Sequence, residues 1–564
     1  MRSKSKRLII LLAVCLPGVL FLGGCNKQLS PLLTNPSVPS PSAASPDLYL
    51  NNLQLSFKNL FQNATDLTDQ LTRQEIMYGP TYYNAYSPTS FDGIWQTAYE
   101  SVMLTANTMI PIAESKGETI HAGIAQTLKA YTMITMVDLF GDVPYSQADK
   151  GVAVPNPQVD KGAAIYDSAE ALLDSAIANF AIKPSVKPAN DLFYGGSASN
   201  WTALANTLLL KAYIQTRLVD NGVTAKIAAL ISANKLITSA SQDFVFSYSS
   251  HSQAPDARNG HYVGNYGTDN GAGDYIGTWF MWELADAKGF QDPRTRYYLY
   301  RQCTDVYSDP RTASQTTRQF AIPCLYRTDP YAPGVPYCLV DNGYWGRDHG
   351  NSEGIPPDNS LRTTWGLYPA GGAFDYDQNL ATGQSTGRET GAGGAGINPI
   401  WLSSYTYFLE AEAALILGTP GDPKALTISG VDASIKKVAG FAASIGYKIP
   451  TSDTTMLITA TNTQKYENAV ANQYQSASTT AAKLNVIETE YYLAAWGNGL
   501  ETYNNYRRTG CPNNFQPALE PSPGLFIRSF FYPSVYANFN KNAVQKTTTN
   551  VRVFWDNNPD NFVY

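Results

Sequence analysis

Apolar residues recur at spacings of three and four along most of this chain. In residues 163–180, Ile165, Ala169, Leu172, Leu173, Ala176, Ile177 and Phe180 fall on one face, with Asp160 placed to cap the start. The same stripe returns in residues 48–78, 91–112, 123–140, 201–219, 225–236, 399–417, 432–445 and 483–508, and each predicts a helix. Small residues at the stripe edges, among them Ala125, Ala130, Ala203, Ala205 and Ala212, predict close helix-hairpin stacking. No fixed period emerges, so any tetratricopeptide-type repeat is degenerate. The fold class is therefore mainly α, built from degenerate helix hairpins.

Between residues 242 and 396 the stripe stops. Glycine, proline, aspartate and aromatic residues take over, and residues 370–396 are glycine-rich. A long irregular stretch inside a compact protein is usually functional or disordered. Trp279, Trp282, Tyr344, Trp345 and Trp365 argue for order. This stretch reads as a loop lobe packed on the helical scaffold.

The N-terminus carries a different pattern. Arg2, Lys4, Lys6 and Arg7 precede an apolar run, which ends at Leu22, Gly23, Gly24 and Cys25. A basic head, a short apolar core and small residues mark a secretory signal over residues 1–24. A cysteine directly after them marks lipidation at Cys25, and two or three acyl chains give lasting anchorage. Residues 25–46 hold prolines 31, 36, 39, 41 and 46 among serines, the composition of a semi-rigid tether. Residues 47–564 then form a single domain.

Composition narrows the partners. Loss of residues 1–24 leaves 36 basic against 46 acidic side chains, which disfavours nucleic acid. Four cysteines remain beyond Cys25, and in an exported protein they permit disulfides. Pairing among Cys303, Cys324 and Cys338 is preferred over pairing with Cys511, with free buried thiols as the alternative. Tyrosine is in marked excess, 37 against 22 phenylalanines. Its apolar body and polar tip match sugar rings, which have C–H faces and a rim of hydroxyls.

Catalytic signatures do not hold up. Gly383, Ser385 and Gly387 match the nucleophile-elbow string, but the four histidines (121, 251, 261 and 349) all precede it. The run from Gly391 to Gly396 lacks the strand-to-helix setting of a nucleotide loop and reads as a linker or surface loop. The histidines are too scattered for a zinc hydrolase helix. Asp269, Asn270 and Asp274 could hold calcium, yet depart from EF-hand spacing, and a solvated turn is the simpler reading. No cofactor is expected. Paired carboxylates for glycoside hydrolysis leave no spacing signature.

A series of segments, in order, resembles the SusD/RagB family of outer-membrane lipoproteins. It runs through Phe91-Asp92-Gly93-Ile94-Trp95 to Asn107, then from Lys129-Ala130-Tyr131 to Phe140-Gly141-Asp142-Val143-Pro144-Tyr145. Trp201 with Ala205-Asn206-Thr207-Leu208 and Lys211 follows, then Asp292-Pro293-Arg294, then Pro399 to Glu410-Ala411-Glu412-Ala413. The C-terminal set is Tyr506-Arg507-Arg508-Thr509-Gly510, Arg528, Tyr532-Pro533, Asn540 and Val553-Phe554-Trp555-Asp556. The resemblance implies a helical tetratricopeptide-like fold and a TonB-dependent SusC-like transporter as partner, over which the lipoprotein acts as a hinged lid. It also implies lipid anchorage to the outer membrane, facing the cell surface, and capture of glycans, or in some members peptides, without cleavage. One departure is that Asn26-Lys27-Gln28 follow the lipidated cysteine where acidic residues are common.

A sugar site needs flat apolar faces and a few polar groups. Two places offer them. One is Tyr82, Tyr83, Asn84 and Tyr86, between the first two helices. The other is the lobe, with Tyr262, Tyr266, Tyr275, Trp279, Trp282, Tyr344, Trp345, Arg347 and Trp365. Trp282 and Trp345 are the preferred stacking platforms, and the alternative for every ring is packing of lobe on scaffold. Trp95 and Trp201 sit on helical stripes and belong to the core. Arg294, Arg507 and Arg508 read as structural ion-pair donors, and Asp138, Asp142 and Pro144 as ending a helix and shaping a turn.

Overall fold

The structure is a computed structural model that describes residues 45–77, 79, 81–266, 273–302, 337–339, 342–351, 362–377, 390–520 and 522–564. The signal, Cys25, nearly all of the tether, Asp269, Asn270, Cys303, Cys324 and the Gly383–Gly387 string lie outside them.

The predicted stripes become helices. Helix α1 spans Pro46–Leu71, and it starts inside the predicted tether because Ser45 Oγ accepts from the Asp47 amide. Next come α2 (Asp92–Gln96), a π-helical stretch (Thr97–Met103) and α3 (Leu104–Ser115), which together cover a single sequence stripe. Then follow α4 (Thr119–Phe140), α5 (Gly162–Ala181), α6 (Ala198–Thr216) and α7 (Val223–Ala233). After the lobe come α11 (Ser403–Leu417), α12 (Pro423–Ser444), α13 (Ala460–Ser476), α14 (Thr480–Ala494) and α15 (Gly499–Thr509), and α16 (Ser534–Ala537) closes the series.

Consecutive helices pack as hairpins, most closely α4 on α5 and α11 on α12. Helix α4 is buried on all sides except at Lys129, as an apolar helix without a polar face must be. Gly123 lets it approach α5, since a Cβ there would lie 2.5 Å from the Phe180 ring. Trp95 and Trp201 are core residues, as the stripes predict. The expected cap does not form. Asp160 instead accepts from the Tyr145 and Ser146 amides, while Asp142 Oδ1 takes the amide of Gly162 and Oδ2 the ammonium of Lys161.

Sequence reading missed α13. It is polar all round except for Tyr466, Val470 and Tyr474, a stripe of one residue per turn. Thr459 and Asn462 form a capping box that fixes its start. The predicted helix over 483–508 is split at residues 495–498, where Gly497 takes φ +86°.

The described part of the lobe holds short pieces only. These are β1 (Phe244–Ser247), α8 (Gly260–Tyr266), α9 (Thr278–Ala285), α10 (Thr295–Tyr298), β2 (Leu299–Tyr300), β3 (Thr364–Trp365) and β4 (Ile397–Trp401). Strands β1 and β4 pair antiparallel, as do β2 and β3. Among the described residues no helix is long and apolar enough to cross a membrane. Cys338 is disulfide-bonded, and Cys511 is free and buried.

Buried ions tie together helices that are not hairpin partners. Arg508 on α15 grips Glu412 on α11 with two parallel bonds of 3.0 and 2.6 Å, and donates to Gln215 on α6 at 2.6 Å. Arg217, just past α6, adds a third bond to the same carboxylate at 2.8 Å. Arg294 clasps Asp292 and reaches Ser434 on α12. Both arginines are the ion-pair donors expected. Arg507 differs. It donates to Arg528 O and Asn504 Oδ1, and its guanidinium lies over the rings of Tyr503 and Trp555. Asp138 does more than end α4, since its carboxylate accepts from Tyr166, Asn504 and Trp555.

Burial alone would raise the Glu412 carboxyl, but the Arg508 and Arg217 charges outweigh it and hold the group at about 2. A depressed carboxylate stabilises the fold above its ordinary range and loses that contribution as pH falls through the folded value. Glu412→Gln should therefore cost about 3–5 kcal/mol at neutral pH, since two guanidiniums lose their carboxylate. The gap to wild type should narrow as pH falls from about 4.5 towards 2. Urea unfolding over that pH range checks both, and a pH-independent gap would discount the ionic account.

Candidate functional site

Most of the aromatic rings predicted to face a ligand are inside. Trp279, Trp345, Trp365, Tyr344, Tyr275, Tyr82, Tyr262 and Tyr266 are all buried, as is Arg347. Their surroundings explain why. The Trp365 ring lies between His261 and Trp496, each 3.8 Å away and nearly parallel, and Trp496 in turn stacks on Phe280 at 4.7 Å. The Trp365 indole N–H donates to Glu75 Oε1 at 2.7 Å. This column joins α8, β3, α9 and the bend between α14 and α15. Trp279 stands edge-on to Phe515 and Tyr492. Two guanidiniums, of Arg362 and Arg347, cover the Tyr275 ring at 3.6 and 4.6 Å, and Arg301 lies 4.8 Å over Tyr344. Tyr262 and Tyr266 stack on each other at 4.8 Å. For these rings the packing alternative holds: they fasten the lobe to the scaffold and present no face to solvent.

The two predicted places meet at Tyr82. Its hydroxyl receives Arg73 Nη2 at 3.2 Å and lies 3.1 Å from His349 Nε2 in the lobe. Burial and the nearby Arg73 charge hold His349 well below its ordinary value, so it is neutral. Tyr86 is partly buried and donates to Leu67 O and Gln70 Oε1. Tyr83 and Asn84 face solvent. Tyr83 is 59% exposed, with its edge against Phe531.

Trp282 is the one predicted tryptophan that is only half-buried. It stands at 79° to Tyr337, ring centres 5.3 Å apart. Beside it lies a cleft of about 290 Å³ lined by Glu283, Gln473, Asn485, Thr489 and Asn514. Lys288 holds Glu490 at 2.9 Å in the cleft wall. Burial raises the Glu283 carboxyl against the pull of Lys288, and its Oε2 has no hydrogen-bond partner. The Trp282 indole, three amides and Glu283 thus line one hollow.

A second concavity was not anticipated. Two grooves of about 660 and 580 Å³ share Ala395 and Ile445. Tyr447 and Arg258 line the first, Tyr248 the second, and Lys58 lies 5.0 Å over the Tyr248 ring. The run starting at Gly391, expected as a linker or surface loop, forms part of the wall. It packs so closely that a Cβ on Gly391 would fall 2.1 Å from Gly372 O. Isolated serines and tyrosines at positions 248, 250, 252 and 447 gave no periodic or motif signal that could have marked this groove.

The calcium reading is reduced to one residue within the described set. Asp274 accepts from Asn265 and faces His261 rather than an oxygen cage.

Comparison with known proteins adds the family context. Residues 40–310 match a family model, SusD-like_2, described as starch-binding and associating with the outer membrane. Residues 394–554 match a second, SusD-like, described as SusD and RagB outer membrane lipoprotein. The unmatched interval falls on the irregular lobe. Three solved structures share the fold. A chitin-binding protein is 20% identical, covering 91% of this chain and 100% of its own, with a TM-score of 0.65. A SusD/RagB family protein from Bacteroides thetaiotaomicron is 20% identical over 92% and 100%, also at 0.65. A chitin-binding SusD homologue from Flavobacterium johnsoniae is 19% identical over 91% and 99%, at 0.61. No curated protein sequence matches.

Packing and exposure predict opposite phenotypes for the two kinds of ring. Trp365→Ala should lower stability by about 3–5 kcal/mol through the cavity it leaves. Tyr83→Ala should change it by no more than about 0.5 kcal/mol. Urea unfolding measures both, and a Trp365→Ala protein as stable as wild type would contradict the anchoring role of the column.

Proposed function

Since the chain belongs to the SusD/RagB family, we propose that it is a lipid-anchored outer-membrane protein that binds glycans and delivers them to a TonB-dependent transporter of the SusC type. The lipobox-like sequence at Cys25 and the proline-rich tether support anchorage, with the folded body held off the membrane at the cell surface. The names of the matched models and of the chitin-binding neighbours support a carbohydrate as ligand.

The observation that carries the reading is the half-buried Trp282 beside its amide-lined cleft. A pyranose presents a C–H face that stacks on an aromatic ring, and its hydroxyls both donate and accept. Asn485, Asn514 and Gln473 can do either in return, and Glu283 accepts. The protein's task is retention and hand-over, and bond cleavage is not part of it. Tyr83 offers an exposed ring, where a long chain would make a further contact.

The test is calorimetric titration of the purified full chain with starch and chitin oligosaccharides. Trp282→Ala should weaken binding by about 1–3 kcal/mol, the size of a ring-stacking contribution on an aromatic platform. The recovered oligosaccharide should keep its length. Loss of binding in Tyr447→Ala with none in Trp282→Ala would move the site to the long groove. Shortened products would overturn the binding-only role.

A further inference from the structure

We propose that Glu75, His261 and Asp274 bind a divalent transition-metal ion, Zn2+ by preference, at the seam between α1 and the lobe. Their donor atoms lie within 4.8 Å of one another. His261 Nδ1 is 3.7 Å from Asp274 Oδ2 and 3.9 Å from Glu75 Oε1. These gaps are too wide for hydrogen bonds. They are close to the edges of a coordination tetrahedron, where bonds of about 2.0–2.2 Å set ligand atoms roughly 3.3–3.6 Å apart. These two edges need to close by only a few tenths of an ångström.

The surroundings hold each donor in place. His261 Nε2 lies 3.4 Å from Asp66 Oδ1, the kind of outer carboxylate that accepts the second N–H of a metal-binding imidazole. Its ring is stacked on Trp365. Glu75 Oε1 receives the Trp365 indole N–H, and Asp274 Oδ2 receives Asn265 Nδ2, both at 2.7 Å. Arg362 donates to the backbone carbonyls of Gly273 and Asp274. Asp66 and Asp274 are 44% and 33% exposed in their side chains, which leaves an approach from solvent.

A second observation is independent of that triad. Asp69 is fully buried, neither of its carboxyl oxygens has a hydrogen-bond partner, and burial together with the charges of Glu75, Asp66 and Asp274 pushes it up. A buried carboxylate without a partner is costly. A dication held by the triad would place favourable charge beside Asp69. Calcium fits poorly, because it takes six to eight oxygens and here one of the three donors is an imidazole nitrogen. Imidazole with carboxylates suits zinc.

The experiment is titration of the chelator-treated full chain with Zn2+, followed by calorimetry, and with Co2+, followed by its visible absorption. Wild type should take up a single ion at this site. Asp274→Asn, which is isosteric, and His261→Gln should each weaken uptake by at least about tenfold, the scale at which even outer partners count. The cobalt spectrum should change in both. Circular dichroism establishes that each variant is folded, and Asp274→Asn alone decides should His261→Gln not fold. Absence of saturable Zn2+ uptake by wild type, equal uptake by the folded variants, or Ca2+ binding at the same stoichiometry would each overturn the site. No residue of the Trp282 cleft is involved, so glycan binding and metal binding fail separately.

Discussion

A buried carboxylate with two guanidiniums is the constraint on which this architecture rests. Stacked helix hairpins touch chiefly their sequence neighbours, so such a fold has little to fix the angle between its first and second halves. Glu412 on α11 is gripped by Arg508 on α15 and Arg217 beyond α6, and Gln215 joins the same cluster. Helices nearly three hundred residues apart in sequence thereby share a single centre of charge. Lys211 and Glu501 repeat the device between α6 and α15. Such pairs are weak evidence for raw stability, because desolvation offsets much of their attraction. What they do fix is registry, since a displaced helix would leave an ion buried alone.

The lobe is fastened by different physics. Its described pieces are too short to pack as regular layers, so it docks through rings: the His261–Trp365–Trp496–Phe280 column, Trp279 against Phe515, and guanidiniums over Tyr275 and Tyr344. Aromatic side chains bury much area with few rotatable bonds, which lets irregular backbone be held rigidly. This is why an abundance of tryptophan and tyrosine is a poor pointer to a ligand surface here. The same composition builds the joint.

The helices were legible in the sequence because burial on one face imposes a period, and Ile165 to Phe180 shows it directly. Helix α13 escaped because its buried stripe is only Tyr466, Val470 and Tyr474. The bend at Gly497 escaped because the stripe continues through it. The family resemblance was legible because its segments, such as Phe140-Gly141-Asp142-Val143-Pro144, sit at tight turns where few residues fit, and Gly141 takes φ +77°. Which rings face outward was not legible. Trp279 and Trp282 are three residues apart on a short helix, yet one is fully buried and the other is not, and only the tertiary packing decides between them. The Asp66, Asp69, Glu75, His261 and Asp274 cluster was invisible for the same reason, being drawn from α1, α8 and a loop nearly two hundred residues away.

These two joints are not independent. Glu75 receives the Trp365 indole N–H and also faces His261, which covers the other side of the seam by stacking on that same ring. Any charge that changes at Glu75 or His261 is therefore felt by the column that holds the lobe. A protonated imidazole can satisfy only one carboxylate at a time per N–H. Trp282 lies on α9, two residues beyond Phe280 at the column's far end. The ring column thus ends on the same short helix that carries Trp282.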